Sequence, residues 1–377
     1  MNNIYWIGTR YSDVVEEPLF KGSITRYGSN QKPNHYSFSN NGFTEDYNEF
    51  VSSSLHKILE KDKSAYFLFA NEINSYKYGE DIFERSICIN PLSAIESLND
   101  KLFARNYIGQ NIKTPGSLVL TPSSCTDYQF VKNIFGNEAS NFVIQASKGA
   151  GGNESYFLSE NNTPIIKNKV AHLLVSPYYT NVTSVNTHII LSKNDFRIMP
   201  PSIQITLNKF KYSGSDFVAY NNLNKKIKKN IIECAKTIAT KVQELSCKGV
   251  LGIDLIIDND DVMFIECNYR YQGSSFVLNK ALVENNMPSL FQCQYNAFYK
   301  DLSNIPKDIY DLAINYSSFR RTNWNNHINI PYPYKIIEPN NSTNTSSDEY
   351  QQYELYSHSI IQTIEKQEEL NPYLFDL

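Results

Sequence analysis

Two apolar runs around a short polar stretch constrain the fold of this chain more than any other feature. The sequence GIDLIIDNDDVMFIECNYR (252–270) has apolar runs at 255–257 and 262–265 on either side of an Asp-Asn-Asp-Asp tetrapeptide. Clusters of Asp and Asn form turns, and apolar runs of this length form buried strands. The stretch therefore predicts a central β-hairpin in which Asp258 pairs with Val262 around a three-residue loop.

This register places two acidic residues opposite each other. Asp254 faces Glu266, and Asn268 and Arg270 share their face because side chains alternate along a strand. Like charges across a strand pair destabilise it, and buried carboxylates stay charged only when paired or bound to metal. A divalent cation resolves both problems, and two carboxylates with an amide oxygen suit Mg²⁺ when phosphates and water complete its coordination. The alternative is an ordinary hairpin whose acids lie at solvated strand ends.

Charge and cysteine usage exclude several functional classes. The 377-residue chain has a formal net charge of −4, so it lacks the basic excess that neutralises phosphates, and we expect no nucleic-acid partner. The six cysteines are scattered without a C-x-x-C pair, which indicates neither a zinc site nor a disulfide scaffold. A signal-peptide pattern and an apolar run of membrane-spanning length are both absent, so we expect no membrane partner and a cytoplasmic location.

Strand and helix patterns divide the chain into three parts. Residues 1–95 alternate strand and helix, which predicts a small parallel α/β domain with strands at 3–8, 64–70 and 86–90 and a helix at 49–62. Residues 96–300 form a second domain, with strands around a glycine-rich loop at 141–158, a helix at 223–247 and then the hairpin. Residues 301–377 form a C-terminal extension with a polar linker at 339–352 and a closing helix at 356–370.

The glycine-rich loop SKGAGG (147–152) lies between two strand patterns and lacks the G-K-[ST] ending of a Walker A loop. Glycines let backbone N–H groups approach phosphate oxygens, so such a hairpin loop is able to close over a nucleotide. Taken alone, however, the loop is typical of a flexible surface turn. Lys101, taken alone, is typical of an exposed helix lysine.

Together and in this order, these features resemble the ATP-grasp superfamily over about residues 90–300. The matching stretches are NDKLFARNYIGQNIKTPG (99–116), FVIQASKGAGGNESYF (142–157) and GVLGIDLIIDNDDVMFIECNYRYQGSS (249–275). The last one, with its paired acids and E-x-N-x-R pattern, is the most specific.

The resemblance implies an α/β (α+β) protein in which the small N-terminal domain precedes a two-subdomain ATP-grasp fold. We expect a glycine-loop subdomain at about 120–180 and a metal-site subdomain at about 181–300. More finely, IYWIGTRYSD (4–13) and FKGSITRYG (20–28) resemble the amino-terminal domain of pheganomycin-type peptide ligases.

The same resemblance implies a role for each matching residue. Lys101 reaches the nucleotide phosphates, and Arg270 steadies the acyl phosphate or the carboxylate before it. The hinge near 174–178 reads adenine through its backbone. The implied metal ligands, for Mg²⁺ or alternatively Mn²⁺, are Asp254, Glu266 and Asn268. The implied residues that bind ATP are Lys101, Gln145, Lys148, Gly149, Gly151, Gly152, Ser176 and Tyr178.

Two positions depart from the superfamily pattern. The strand before the glycine loop usually carries a second nucleotide lysine, and here that position is Gln145, with Lys148 as a candidate substitute. The hinge usually offers a glutamate to the ribose, and residues 175–184 contain no acid. Both departures affect the expected nucleotide affinity more than the metal site.

The resemblance implies an ATP-dependent ligase that forms C–N bonds through an acyl phosphate, in a biosynthetic pathway. We expect small-molecule carboxylate and amine substrates, namely amino acids or peptides, beside Tyr271, Ser274 and Ser275. For those three residues, a turn with satisfied hydroxyls is the alternative. A ligase that aminoacylates a carrier protein, a phosphotransferase and a degenerate nucleotide-binding protein stay open. A carboxylase is less favoured because the chain shows no biotin domain, and a homodimer is an open alternative to a monomer.

Overall fold

The computed structural model of the chain describes residues 3–14, 17–28, 33–38, 46–136, 139–149, 154–167, 170–180, 182–207, 210–322, 334–336 and 350–361. Within these residues three β-sheets follow one another along the chain. Each sheet packs its own set of buried apolar side chains.

The first sheet is parallel and has the spatial order β3-β2-β1-β4. Its elements are β1 Ile4–Arg10, β2 Phe20–Tyr27, β3 His35–Ser37, α1 Tyr47–Lys61, β4 Tyr66–Phe69 and α2 Glu80–Glu84. Alternate residues of β1 pack on α1 or on Phe291 and Tyr295 of the next domain, so β1 is covered on both faces. The predicted strand at 86–90 is wrong: Ser86 makes a single bridge to Phe67, and Cys88 has a φ of +60°, which ends an extended conformation.

The second sheet carries the glycine-rich loop. Its four antiparallel strands lie in the order β5-β8-β6-β7. The elements of this region are α3 Leu92–Leu98, α4 Lys101–Ile108, β5 Leu118–Leu120, α5 Pro122–Cys125, α6 Tyr128–Phe135, β6 Phe142–Gln145, β7 Ser155–Leu158 and β8 Leu173–Pro177. Asp100 caps α4 by accepting hydrogen bonds from the backbone of Leu102 and Phe103, so the helix begins at Lys101.

The third sheet is antiparallel, in the order β14-β13-β9-β11-β12-β15-β17-β16, with β10 on β9. Its region contains β9 Thr183–Leu191, β10 Phe196–Ile198, β11 Ser202–Leu207, β12 Lys211–Asp216, α7 Phe217–Asn221, α8 Lys225–Gln243, β13 Gly249–Asp258, β14 Asp261–Asn268, α9 Ser275–Glu284, α10 Leu290–Tyr299, β15 Tyr316–Thr322, β16 Tyr334–Ile336 and β17 Tyr350–Tyr356. Helix α8 buries its apolar stripe against this sheet.

The C-terminal extension is part of the third sheet, because β15 pairs with β12 and β17 pairs with β15. Strand β17 begins at Tyr350, so the last three residues of the predicted linker 339–352 lie in a strand. The predicted closing helix at 356–370 starts too early, since Tyr356 ends β17 and the helical conformation begins at Ile360. Residues 337–349 and 362–377 lie outside the described part of the chain.

In the hairpin of β13 and β14 the two acids pair as predicted, but the turn and the register near it differ from the prediction. Asp258 pairs with Asp261, so the predicted three-residue loop is wrong and the turn has two residues. A β-bulge at Ile265 then inserts one residue into β14, and beyond it Asp254 pairs with Glu266. The bulge compensates for the shorter turn, and the two acids face each other as predicted.

Candidate active site

The two acids of the hairpin are held by side-chain amides. Oδ1 of Asp254 accepts hydrogen bonds from Asn186, at 2.9 Å, and from Gln204, at 2.8 Å. Nδ2 of Asn268 donates to both acids, at 2.9 Å to Asp254 and 3.1 Å to Glu266. These amides fix the carboxylate oxygens of Asp254 without neutralising its charge.

The protonation behaviour of the two acids differs. Burial, and after it the charge of Glu266, raises the pKa of Asp254 to about 7. Burial alone would also raise the pKa of Glu266, but the Lys101 charge and the hydrogen bonds from Asn268 and Lys101 together outweigh it, and the net shift is downward. Of the two acids, Glu266 therefore stays ionised and Asp254 is the one that binds a proton more readily.

Lys101 connects the acid pair to the glycine-rich loop. Its Nζ lies 3.0 Å from Oε2 of Glu266 and donates to the backbone oxygen of Gly149 at 3.1 Å. The backbone N–H of Lys101 donates to the oxygen of Ser147 at 2.8 Å. With 6% of its surface exposed, Lys101 is not the solvated helix lysine of the alternative interpretation.

A cavity of about 210 Å³ lies between the second and third sheets and contains most of the predicted nucleotide and metal residues. On its wall are Lys101, Gln145, Gly149, Ser176, Tyr178, Asp254 and Glu266. Asn268 is not on this wall but donates hydrogen bonds to both acids. Lys148 is exposed and is not on the wall, so the structure does not bring it to the cavity. Gly151 and Gly152 lie outside the described residues.

Sequence reasoning missed Arg105, which lies one helical turn after Lys101 and lines the same cavity. It is 4% exposed, and its guanidinium donates to the Ile265 backbone oxygen at 2.9 Å, to Ser176 at 3.0 Å and to Gln145 at 3.4 Å. Among the described residues it has no carboxylate within ion-pair distance. Burial lowers the pKa of Arg105 to about 10, so it remains a cation at neutral pH.

Arg270 faces a second cavity, of about 140 Å³, on the side of the acid pair that faces the N-terminal domain. Its Nη2 donates to Oδ1 of Asn268 at 2.8 Å. The hydroxyl of Ser274 donates to Asn186, and that of Ser275 bonds to His188. The satisfied-hydroxyl alternative therefore describes both serines, whereas Arg270 remains available on the cavity wall.

The class of protein follows from a family comparison. Residues 98–274 match the family model described as the ATP-grasp domain. Residues 98–274 therefore form an ATP-grasp domain, and the predicted fold, a two-subdomain ATP-grasp unit after a small parallel domain, is confirmed.

Solved structures similar to this chain extend the match to the flanking regions. Carboxyaminoimidazole ribonucleotide synthase from Aspergillus clavatus, complexed with ATP, has a TM-score of 0.65 at 12% identity and covers 99% of this chain and 98% of its own. Biotin carboxylase from Campylobacter jejuni has a TM-score of 0.65 at 13% identity, over 97% and 90% of the two chains. L-amino acid ligase from Bacillus licheniformis has a TM-score of 0.57 at 11% identity, over 85% and 80%. At these identities the likeness shows the fold.

No curated protein sequence matches this chain significantly. Among the helices in the described part of the chain, none combines the length and apolar character needed to cross a membrane.

Proposed function

We propose that this protein is an ATP-dependent ligase that joins a carboxylate to an amine. The observation that carries the proposal is the position of the Asp254–Glu266 pair between two cavities. The larger cavity holds the cations Lys101 and Arg105, and the smaller one holds Arg270. A nucleotide in the larger cavity and a carboxylate substrate in the smaller cavity would meet beside Asp254 and Glu266.

The larger cavity suits a nucleoside triphosphate. Lys101 lies where the glycine-rich loop meets the acid pair, and it exchanges Glu266 for phosphate oxygens when the nucleotide enters. Arg105 supplies the second cation that Gln145 does not provide, because its guanidinium lies within hydrogen-bond distance of Gln145. Buried cations without a carboxylate partner are favourable only where an anion binds, and phosphate matches a guanidinium well.

The acid pair suits Mg²⁺. Among the described residues there is no group of three His, Cys, Asp or Glu side chains that could hold a metal by itself. The two carboxylates are hard oxygen donors, and phosphates and water would complete the coordination. Asn268 would add its amide oxygen only after its amide turns over, because Nδ2 faces the two acids and Oδ1 accepts from Arg270. The raised pKa of Asp254, caused first by burial and then by the charge of Glu266, also fits, because a bound cation would favour the ionised carboxylate. When bound, Mg²⁺ supplies positive charge to the phosphoryl oxygens.

The chemistry proceeds in two displacements. A carboxylate oxygen attacks the γ-phosphorus of ATP, and the bond to the β,γ-bridging oxygen breaks to release ADP and leave an acyl phosphate. An amine nitrogen then attacks the acyl carbon, inorganic phosphate leaves, and the amine proton passes to solvent. Lys101 and Arg105 hold the phosphates in line, and Arg270 orients the carboxylate.

A second candidate is a carboxylating reaction in which bicarbonate is the activated carboxylate. The observation that favours it is fold similarity over nearly the whole chain to carboxyaminoimidazole ribonucleotide synthase and biotin carboxylase. The small volume of the second cavity also accommodates bicarbonate.

The test is ADP release by purified protein with Mg²⁺ and ATP, across amino-acid pairs and with bicarbonate plus single amines. The proposal expects release that requires both an acid and an amine. Hydroxylamine in place of the amine should trap the acyl phosphate as a hydroxamate. A phosphorylated product that is stable without any amine indicates a phosphotransferase, and a mass increase on a co-purified carrier protein indicates the aminoacylating reaction. Failure to bind MgATP would contradict the proposal.

A further inference from the structure

The second cavity lies at the carboxyl edge of the N-terminal parallel sheet. The chain runs from β1 outward through β2 to β3, then crosses to the other side of β1 to form β4. The loops after β1 and β4 therefore diverge, and in open parallel sheets ligands bind at such a switch point. Thr9, Arg10 and Asp13 at the end of β1 and Ala70 after β4 form this side of the cavity.

The opposite wall comes from the ATP-grasp domain. The backbone N–H of Tyr271 donates to the oxygen of Ala70 at 3.0 Å, and the Trp6 and Tyr271 rings pack edge to face with centroids 5.1 Å apart. Arg270 and Gln272 lie on this wall beside the acid pair, and Gln272 donates to Asp254 at 3.4 Å. The cavity is thus closed only when both domains are present.

The described residues of the cavity wall include two cations and one anion. Arg10 and Asp13 form an ion pair, at 3.0 Å, with Arg10 5% exposed and its guanidinium 5.7 Å above the Phe276 ring. The remaining charged side chain on the described wall is Arg270, whose hydrogen-bond partner Asn268 is neutral.

Polar atoms without partners accompany these charges. Among the described residues, Trp6 Nε1 and the Tyr271 hydroxyl are buried without a hydrogen-bond partner, and both residues line the cavity. Unsatisfied buried polar atoms are uncommon in folded proteins and cost free energy.

We propose that this cavity binds a small free α-amino acid as a zwitterion, with its carboxylate at Arg270 and its ammonium at Asp13. Arg10 is a positioning residue that holds Asp13 in place. At about 140 Å³ the cavity is smaller than the one of about 210 Å³ assigned to the nucleotide, so its occupant is small. The inference rests on the proposed ligase function and identifies its acid substrate.

The test is binding without nucleotide, measured by calorimetry and thermal shift. The probes are small L-amino acids from glycine to leucine, each compared with the acid that lacks the α-amino group and with the amide that lacks the carboxylate. We expect the amino acid to bind about tenfold or more tightly than either analogue, the size of one lost charge-assisted hydrogen bond.

Asp13→Asn should reduce amino-acid affinity by about tenfold and leave the affinity for the des-amino acid unchanged. Since this variant leaves Arg10 without its carboxylate, the neutral double variant Arg10→Gln, Asp13→Asn serves as a second test with the same expected loss. Asp81→Asn, at an exposed acid of the same domain, is the control and should bind as the wild type does. The thermal shift produced by MgATP reports separately on folding and on the nucleotide site.

Equal binding of amino acids and their des-amino analogues, or wild-type affinity in the double variant, would overturn the inference. Absence of amino-acid binding in a protein that binds MgATP would overturn it too, while the nucleotide part of the proposed function stands. Absence of MgATP binding would instead contradict the proposed function itself.

Discussion

The side-chain nitrogen of Lys101 lies 3.0 Å from Oε2 of Glu266, which ties the first residue of α4 to the acid pair of the hairpin. Both side chains are largely buried, with 7% and 16% of their surfaces exposed. Without a nucleotide, the lysine therefore neutralises the carboxylate that we assign to the metal.

Removing this lysine should destabilise the protein. Lys101→Met leaves Glu266 as a buried charge without its cation, and we expect the free energy of unfolding to fall by about 3 kcal/mol. Urea denaturation measures this change. Lys113→Met is the matched control, because its partner Asp261 lies on the same hairpin but the pair is exposed, and its loss should be below about 1 kcal/mol. Equal stability of the wild type and Lys101→Met would show that the buried pair contributes nothing.

Moving the positive charge from position 105 to position 145 tests whether a second cation in the larger cavity binds phosphate. Arg105→Gln should weaken MgATP binding by about tenfold or more, since it removes a charge-assisted contact. Adding Gln145→Lys to that variant should restore part of the loss, because the new cation enters the same cavity. Calorimetry gives the affinities, and denaturation shows whether each variant is folded. A purely structural Arg105 would show no recovery in the folded double variant.

The register of the acid pair was predictable although its turn was not. The apolar runs define two central strands, and the polar tetrapeptide allows a loop of either two or three residues. The bulge at Ile265 has no sequence signal, yet it restores the face of Glu266. Because side chains alternate between the two faces of a strand, a one-residue shift of β14 against β13 would be costly. It would place Glu266 and Asp254 on opposite faces of the sheet.

Arg105 and the C-terminal strands were not predictable from local pattern. A charged residue in an eight-residue helix suggests a solvated face, and Arg105 becomes buried only because β8 and β14 both contact it. Strand β15 carries the weak pattern YSSFRRT and forms by pairing with the edge of β12, far earlier in the chain. Tertiary pairing, rather than propensity, determines such strands.

The buried carboxyl of Glu72 should make stability depend on pH. Burial, opposed by hydrogen bonds from Asn90, raises the pKa of Glu72 to about 7 from an ordinary 4.5 in the unfolded chain. The folded state thus binds the extra proton between these values, and the stabilisation is complete below pH 4.5 and is lost as pH rises through 7. The loss amounts to at most about 3 kcal/mol.

Glu72→Gln keeps an oxygen that accepts from Asn90 but does not titrate. The free energy of unfolding, measured at about pH 5 and about pH 8, should therefore fall more in the wild type than in the variant. Parallel pH profiles for the two proteins would show that Glu72 has no raised pKa.

The Mg²⁺ dependence of ATP binding, compared in the wild type and Glu266→Gln, tests the central claim most directly. Calorimetric titration of ATP with and without Mg²⁺ needs no knowledge of the other substrates. In the wild type Mg²⁺ should strengthen ATP binding by about tenfold or more, and Asp261→Asn, an exposed acid on the same hairpin, should keep that gain. Glu266→Gln should lose the gain, while its binding of Mg²⁺-free ATP is unchanged or stronger because Lys101 is released. The same Mg²⁺-dependent gain in Glu266→Gln and in the wild type would contradict the assignment of the acid pair to the metal.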